Sequence, residues 1–243
     1  MIDFLKNIRI IRSIVYFFVG LFTYPLLNMY NKLSISGTEH IQKLPKKNVL
    51  FISNHQTYFA EVIAFLHIFC AIKWRKRNKL GIPYYLLNPF AGVYFVSAAE
   101  TMKKSSMTRL FELAGAINVK RTWSDNSNEV RHGLDPSDTR KIERILSNNW
   151  VINFPQGTTT AFAKGRKGSV ILIKKNKPVV IPIVIKGFDK AFSKKRLTPL
   201  NKGTKLEVTF KPPLEIDYNM TNDEILAVLM DAIEQSESFR NDH

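Results

Sequence analysis

Residues 48–61 read NVLFISNHQTYFAE, and 62–72 continue as VIAFLHIFCAI. The run 48–53 is a short apolar run of strand length, unbroken from Val49 to Ile52, which suits a strand covered on both faces. Residues 57–72 are mostly apolar and long enough for a buried helix. Between them lies a short polar turn that carries Asn54 and His55. A buried strand turning at once into a buried helix belongs to a layered α/β architecture.

Outward from this stretch the alternation repeats. Strands are expected at 115–120 (GAINVK), 150–154 (WVINF), 178–186 (PVVIPIVIK) and 205–210 (KLEVTF). Helices are expected at 105–114, from Asp135-Pro136 or Ser137 to about Asn148, at 168–175, and at 221–237. Proline suits a first helical turn, and Thr221 with Glu224 has the spacing of a capping box. The segment 73–79 (KWRKRNK) is basic, and 84–96 is rich in aromatic residues. The expected fold class is α/β: a single domain with a central, largely parallel mixed sheet flanked by helices. Two polar clusters then fall beyond strand carboxyl ends, Asn54-His55 and Pro155-Gln156-Gly157-Thr158, where such sheets collect their sites.

The N-terminal segment has a different character. Residues 14–27 (IVYFFVGLFTYPLL) are apolar, with Lys6, Arg9 and Arg12 before them and Lys32 after. As a helix these residues would reach roughly 21 Å, short of the about 20 residues that a full membrane span needs. Pro25 is expected to kink or end the helix. A helix lying in one leaflet is the favoured expectation, with a tilted span or a buried core helix as alternatives. No small-x-small cleavage site follows the run, as a secretory signal would require. The expected division is therefore 1–34, a membrane-associated helical segment, and 35–243, one globular domain.

Composition narrows the function classes. The 243 residues carry 36 Lys+Arg against 20 Asp+Glu, a net charge of +16. Such a surplus favours anionic partners. No helix-turn-helix, zinc-finger or RNA-binding-sheet pattern accompanies it, so membrane lipid is expected as the partner rather than nucleic acid. The single cysteine, Cys70, excludes an internal disulfide and a Cys-rich zinc site, and no metal-ligand spacing is present. Low cysteine use and the missing export signal suit the cytoplasmic face of a membrane, in a monotopic or peripheral position. Cys70 and His67 lie on the apolar helix and are expected to be inert core groups.

His55 stands where a neutral imidazole can act as a general base, provided a carboxylate orients it. The nearest acid is Glu61, on an otherwise apolar helix, where an unpaired carboxylate would be costly. Taken alone, these two residues fit a histidine capping a helix and a glutamate paired with a lysine better than a catalytic pair.

Four ordered blocks carry a resemblance. They are SNHQTYFAE at 53–61, GAINVKR at 115–121, FPQGTTT at 154–160 and VIPIVI at 180–185. Together they resemble the glycerolipid acyltransferases, the lysophosphatidic-acid and glycerol-phosphate acyltransferases, over roughly residues 35–215. The resemblance implies that His55 is the base that deprotonates the acceptor. It implies that Arg121 binds acceptor phosphate, that Phe154, Pro155, Gly157 and Thr158 shape the acceptor site, and that Pro182 lies towards the acyl donor. It also implies direct transfer of an acyl chain from acyl-CoA or acyl carrier protein, without a cofactor, to a lysolipid hydroxyl. The default acceptor is 1-acylglycerol 3-phosphate, giving phosphatidic acid.

The chain departs from the motif in three places. The motif's acid stands five residues after the histidine, but Ala60 occupies that place and Glu61 follows it. Gln156 replaces a glutamate, and Thr159 replaces an arginine. Gln156 keeps hydrogen-bonding capacity for a hydroxyl but cannot accept a proton. Lys164 and Arg166, with Lys167, are placed in sequence to supply the missing positive charge. These changes leave two alternatives: an acyltransferase for a non-glycerophosphate acceptor such as an amino-acid lipid or pigment, or an inactive lipid-binding homologue.

Overall fold

The computed structural model describes residues 2–98, 112, 114–119 and 136–242. Strands β1 (Lys32–Ser36), β2 (Val49–Ser53), β3 (Val93–Ala98), β4 (Ala116–Val119), β5 (Trp150–Asn153), β6 (Val179–Lys186) and β7 (Lys205–Phe210) form one seven-stranded sheet in the order β1-β7-β6-β2-β5-β3-β4. Neighbours are parallel except β6 and β7. The sheet is therefore a five-stranded parallel block joined through β6 to an inverted parallel pair, as the sequence led us to expect of a largely parallel mixed sheet.

Strand periodicity divides the core between two faces. Val49 and Phe51 of β2 enter one apolar cluster, and Leu50 and Ile52 enter the other. Ile181 and Ile183 of β6 join the first, and Val180 the second. The second face is covered by α3 (Pro136–Leu146), α4 (Gly168–Asn176) and α6 (Asn222–Ala232), which contribute Ile142, Val170 and Leu229. Thr221 and Glu224 close the capping box at the start of α6, as their spacing predicts. A single short turn, α5 (Phe188–Ala191), follows β6.

The first face is covered by α2 (Ala60–Lys73), buried from Ala60 through Ala71. A helix that is apolar all round needs cover on both sides. The sheet supplies one side and α1 (Ile2–Pro25) the other. Val15 and Tyr16 of α1 belong to the same core cluster as α2. One imidazole pins the two helices. The Thr23 hydroxyl donates to the Val19 carbonyl at 2.6 Å and accepts from His67 Nε2 at 2.9 Å. Tyr85 donates to His67 Nδ1 at 2.8 Å. Burial pushes the His67 pKa down to about 4 and the Cys70 thiol up to about 12, so both are the inert core groups expected of them.

The N-terminal segment differs in detail from expectation. The helix begins at Ile2 rather than near Ile14, and Pro25 is its last residue, followed by a single π turn, Leu26–Tyr30. Proline ends the regular helix without interrupting it, because its ring clashes only with the turn behind it. Strand β1 runs across the boundary expected at residues 34/35. Neither β1 nor β3 was anticipated from the sequence. The expected helix at 105–114 falls mostly outside the described residues.

Candidate active site

The loop between β2 and α2 is built to hold His55. Its entry is fixed by Asn54, whose side-chain amide donates to the Ile185 carbonyl at 2.9 Å and accepts from the Ile185 N–H at 2.8 Å. This amide extends the β2–β6 ladder one step beyond the paired residues Ser53 and Ile183. Gln56 Oε1 accepts from the Phe188 N–H at 3.0 Å, and the Tyr58 N–H donates to the Lys194 carbonyl at 2.9 Å. One flank of His55 is thus tied to β6 and the other to the segment after it.

Glu61 completes the loop from inside. Its Oε1 accepts from His55 Nδ1 at 2.7 Å and from the Gln56 and Thr57 N–H groups, both at 2.9 Å. Its Oε2 accepts from the Thr57 hydroxyl, which itself accepts from the Ala60 N–H at 3.0 Å. Residues 54–59 lie outside the helix, which begins at Ala60, so the sixth-residue spacing does not rotate the acid to another helix face. The extended loop absorbs the extra residue, and Glu61 reaches back from the first turn.

The electrostatics follow from this geometry. The Glu61 side chain is 0% exposed and that of His55 is 17% exposed. Burial raises a carboxyl pKa, but the His55 charge and the hydrogen bonds from His55 and Thr57 outweigh it and hold Glu61 below its ordinary 4.5. An ionised carboxylate can only accept, so the proton between the two sits on His55 Nδ1, and it is the neutral form of this tautomer that carries its lone pair on Nε2. Phe154, at the end of β5, stacks on the imidazole with centroids 4.2 Å apart and planes 24° from parallel. The end of α1 lies alongside: Thr23, Leu26 and Leu27 share a small apolar cleft with Ala60 and Ile63.

The loop after β5 holds the remaining expected residues. Pro155 and Gln156 are buried, and Gly157 sits at φ +64°, a conformation that glycine adopts without strain. The Gly157 N–H donates back to the Phe154 carbonyl at 2.9 Å, closing a tight turn. The Thr158 hydroxyl accepts from the Thr160 N–H at 3.3 Å. The Arg166 N–H donates to the Pro155 carbonyl at 2.8 Å, and its exposed side chain passes beside Gly157. Lys164 is exposed on the same loop, whereas Lys167 is paired with Asp223 at 2.9 Å. Pro182 lies within β6 opposite Ile52, three residues before His55. Arg121 falls outside the described residues.

Gln156 is turned into the protein. It is 1% exposed, and its amide nitrogen lies 3.4 Å from the Thr160 carbonyl, 3.2 Å from that of Ala163 and 3.0 Å from Gln235 Oε1. Gln235, just after α6, also accepts from the Phe162 N–H at 2.9 Å. The structure therefore brings together His55, Glu61 and Phe154, with the turn 155–158 following directly. It gives Asn54 of the expected polar cluster a partner in Ile185 and adds Gln56, Thr57 and Gln235, which sequence reasoning missed. Thr57 carries a readable signal, a hydroxyl three residues before the helix start. The others act on partners far along the chain and leave no local trace. Among the described residues, no group of three or more His, Cys, Asp or Glu side chains is placed to hold a metal ion.

No curated protein sequence matches the chain. Among solved structures, the crystal structure of the 1-acyl-sn-glycerophosphate (LPA) acyltransferase PlsC from Thermotoga maritima is similar, with a TM-score of 0.57 at 16% identity over 96% of this chain and 80% of that one. At that identity the likeness speaks for the fold. The family model described as Acyltransferase matches residues 32–186, well over half of the chain and inclusive of β1 through β6. With six of the seven strands, the His55 loop and the turn after β5 inside the matched region, the chain belongs to the acyltransferase family.

Proposed function

We propose that this acyltransferase transfers a fatty acyl chain from an acyl thioester, acyl-CoA or acyl carrier protein, to a hydroxyl of a lysolipid acceptor, with His55 as general base. The observation that carries this reading is the buried His55–Glu61 pair at 2.7 Å. His55 Nε2 takes the acceptor proton as the oxygen attacks the thioester carbonyl, and Glu61 stabilises the imidazolium that forms. The proton then passes to the departing thiolate, which leaves as a free thiol. The same intact pair argues against an inactive lipid-binding homologue.

The default acceptor is 1-acylglycerol 3-phosphate, giving phosphatidic acid. Arg121 and Arg166 are the cations proposed for its phosphate, with Thr158 and the 155–157 turn shaping the site. A second reading, an acceptor without glycerophosphate, is favoured by Gln156, whose amide faces inward, and by Thr159 where the motif has arginine. The enzyme would work at a membrane surface. Ile10–Tyr30 form the one candidate spanning stretch among the described residues, and only a third of it is buried in the protein. Ile14, Phe18, Leu21, Phe22 and Met29 are exposed along it. Since α1 also packs on α2, a helix lying in one leaflet fits better than a free span. The cytoplasmic face remains the proposed side, and residues 1–34 the proposed membrane-associated segment of a chain whose acyltransferase domain is 35–243.

Purified protein supplied with radiolabelled acyl-CoA or acyl carrier protein thioesters and a panel of acceptors tests the proposal. Transfer that disappears in His55→Ala supports it, and equal transfer in that variant overturns it. Arg121→Ala separates the acceptor classes. A 10–100-fold rise in KM, about the worth of one charged hydrogen bond, is expected only for a phosphate-bearing acceptor.

A further inference from the structure

Thirteen large apolar side chains are exposed among the described residues, and their distribution is uneven. Seven lie on α1 and the π turn after it, and four on the segment 74–87: Trp74, Ile82, Tyr84 and Leu87. Only Ile171 and Leu200 lie elsewhere. Scattered exposed apolar residues are ordinary, but concentration in one region marks an interaction surface.

The segment 74–87 is held against α1. Its 3-10 turn, Tyr84–Leu87, packs on that helix. The Tyr24 hydroxyl donates to the Gly81 carbonyl at 2.6 Å, and Leu86 lies over Gly20 so closely that a Cβ there would collide with it. Tyr85 is buried and bonded to His67. At the other end Asn78 Oδ1 accepts from the Thr38 N–H at 3.0 Å and from its hydroxyl at 2.8 Å. Ile82, at 60% exposure, and Leu87, at 74%, are therefore displayed by a pinned segment whose buried neighbours point inward.

Charge identifies the occupant. Residues 73–79 hold Lys73, Arg75, Lys76, Arg77 and Lys79, and no Asp or Glu occurs from 62 to 99 or from 4 to 38. One acid, Glu39, reaches this run, accepting from the Asn78 amide at 3.2 Å and lying within the field of Arg77, and the run stays strongly net basic. Apolar side chains beside a net basic run suit a surface that is hydrocarbon inside and anionic at its rim. We propose that residues 74–87 form a second membrane-contacting element beside α1, which seats the enzyme on an anionic bilayer. Ile82, Tyr84 and Leu87 enter the acyl boundary, and the 73–79 cations sit among the headgroups. This inference rests on the membrane reading of α1, and adds to it a second, sequence-distant contact that fixes the rotation of the protein on the surface.

The test is co-sedimentation of the full-length protein with vesicles of phosphatidylcholine containing phosphatidylglycerol. Three proteins are compared: wild type, Ile82→Glu/Leu87→Glu, and Phe18→Glu/Phe22→Glu. Losing two apolar anchors is expected to lower partitioning of the 82/87 variant about 10–100-fold, with thermal unfolding unchanged because both side chains are exposed. Leu200→Glu should bind as wild type does. In a second measurement, Leu87→Cys is labelled with an environment-sensitive fluorophore, the native Cys70 being buried and its thiol pKa pushed up to about 12. A blue shift on vesicles is expected. If the wild type does not bind, both the membrane reading and this proposal fail. If the α1 variant is released but the 82/87 variant binds fully, or the label shows no shift, the second contact is refuted and the α1 reading stands.

Discussion

Gln156→Glu restores the residue that the acyltransferase motif carries at this place, yet it should destabilise this chain. The wild-type amide nitrogen faces the Thr160 carbonyl at 3.4 Å, the Ala163 carbonyl at 3.2 Å and Gln235 Oε1 at 3.0 Å. A carboxylate in the same pose presents oxygen to three oxygens and has no hydrogen to give. Gln235 Oε1 keeps the Phe162 N–H and the Thr160 carbonyl keeps the Ala163 N–H, so the Ala163 carbonyl is the acceptor chiefly affected; an unpaired acceptor costs about 1–3 kcal/mol, and a buried charge without a partner several more. Burial and the surrounding oxygens would raise the pKa of the new carboxyl, so that it binds a proton and pairs with one acceptor of the three. A net loss of about 3–5 kcal/mol at neutral pH follows, a large share of the roughly 5–15 kcal/mol that holds a typical domain. The folded pKa lies above the unfolded value, so the penalty is smallest below about pH 4.3. It grows by up to about 1.4 kcal/mol per unit as pH rises, until the folded pKa is passed. Urea unfolding of wild type and variant at pH 5 and pH 8 measures this, with the larger gap expected at pH 8. Equal stability at pH 8, or a gap that narrows with rising pH, would refute the donor role of Gln156. Gln235→Leu should loosen the same loop, and the double variant should lose less than the sum of the two single losses.

Three further outcomes are expected. Glu61→Gln should lower kcat about 10²–10⁴-fold with little change in KM, since an amide holds the loop but cannot stabilise an imidazolium. The depressed Glu61 pKa gives a stability increment that is complete above the ordinary value of 4.5 and is lost as pH falls through the folded value. Acid titration of unfolding free energy should show this loss in wild type and not in Glu61→Gln. His55→Ala should remove about 10²–10⁴-fold of turnover, read by single-turnover transfer, while circular dichroism stays native. Asn54→Ala leaves the Ile185 N–H and carbonyl without their side-chain partner, each worth about 1–3 kcal/mol. It should lower the denaturation midpoint measurably even though Asn54 touches no reacting atom, and an unchanged midpoint would show that the ladder extension contributes nothing.

Much of the fold was legible because its central strands are covered on both faces and read as unbroken apolar runs. β2, β5 and β6 announce themselves in this way. β1 does not: KLSIS buries Ile35 and exposes its neighbours, as an edge strand with one packed face does, and so short an alternation is easily passed over. β3 was hidden in a stretch that its aromatic residues made conspicuous for another reason. At the site, His55 and Glu61 were legible as residues, and so was the one-residue shift of the acid from the motif. What local reading could not show is that 54–59 form a loop ahead of the helix, from whose first turn Glu61 reaches back to His55. Asn54 and Gln235 were beyond local reading, since their partners lie 131 and 79 residues away.

Glu61 has a consequence for how the site responds to a moving charge. Its two oxygens are met by four donors, from His55, Gln56 and Thr57, all held by the fold. In water, a carboxylate facing a new cation must wait for surrounding dipoles to turn, and that turning is part of the barrier. Around Glu61 the peptide N–H groups already point the right way and are held there by the backbone. In the proposed transfer, when the imidazole becomes positive, the polar environment on its Nδ1 side has almost nothing to rearrange. The low reorganisation is a property of the loop's covalent path from Asn54 to Glu61, settled when the chain folds and independent of which acceptor arrives.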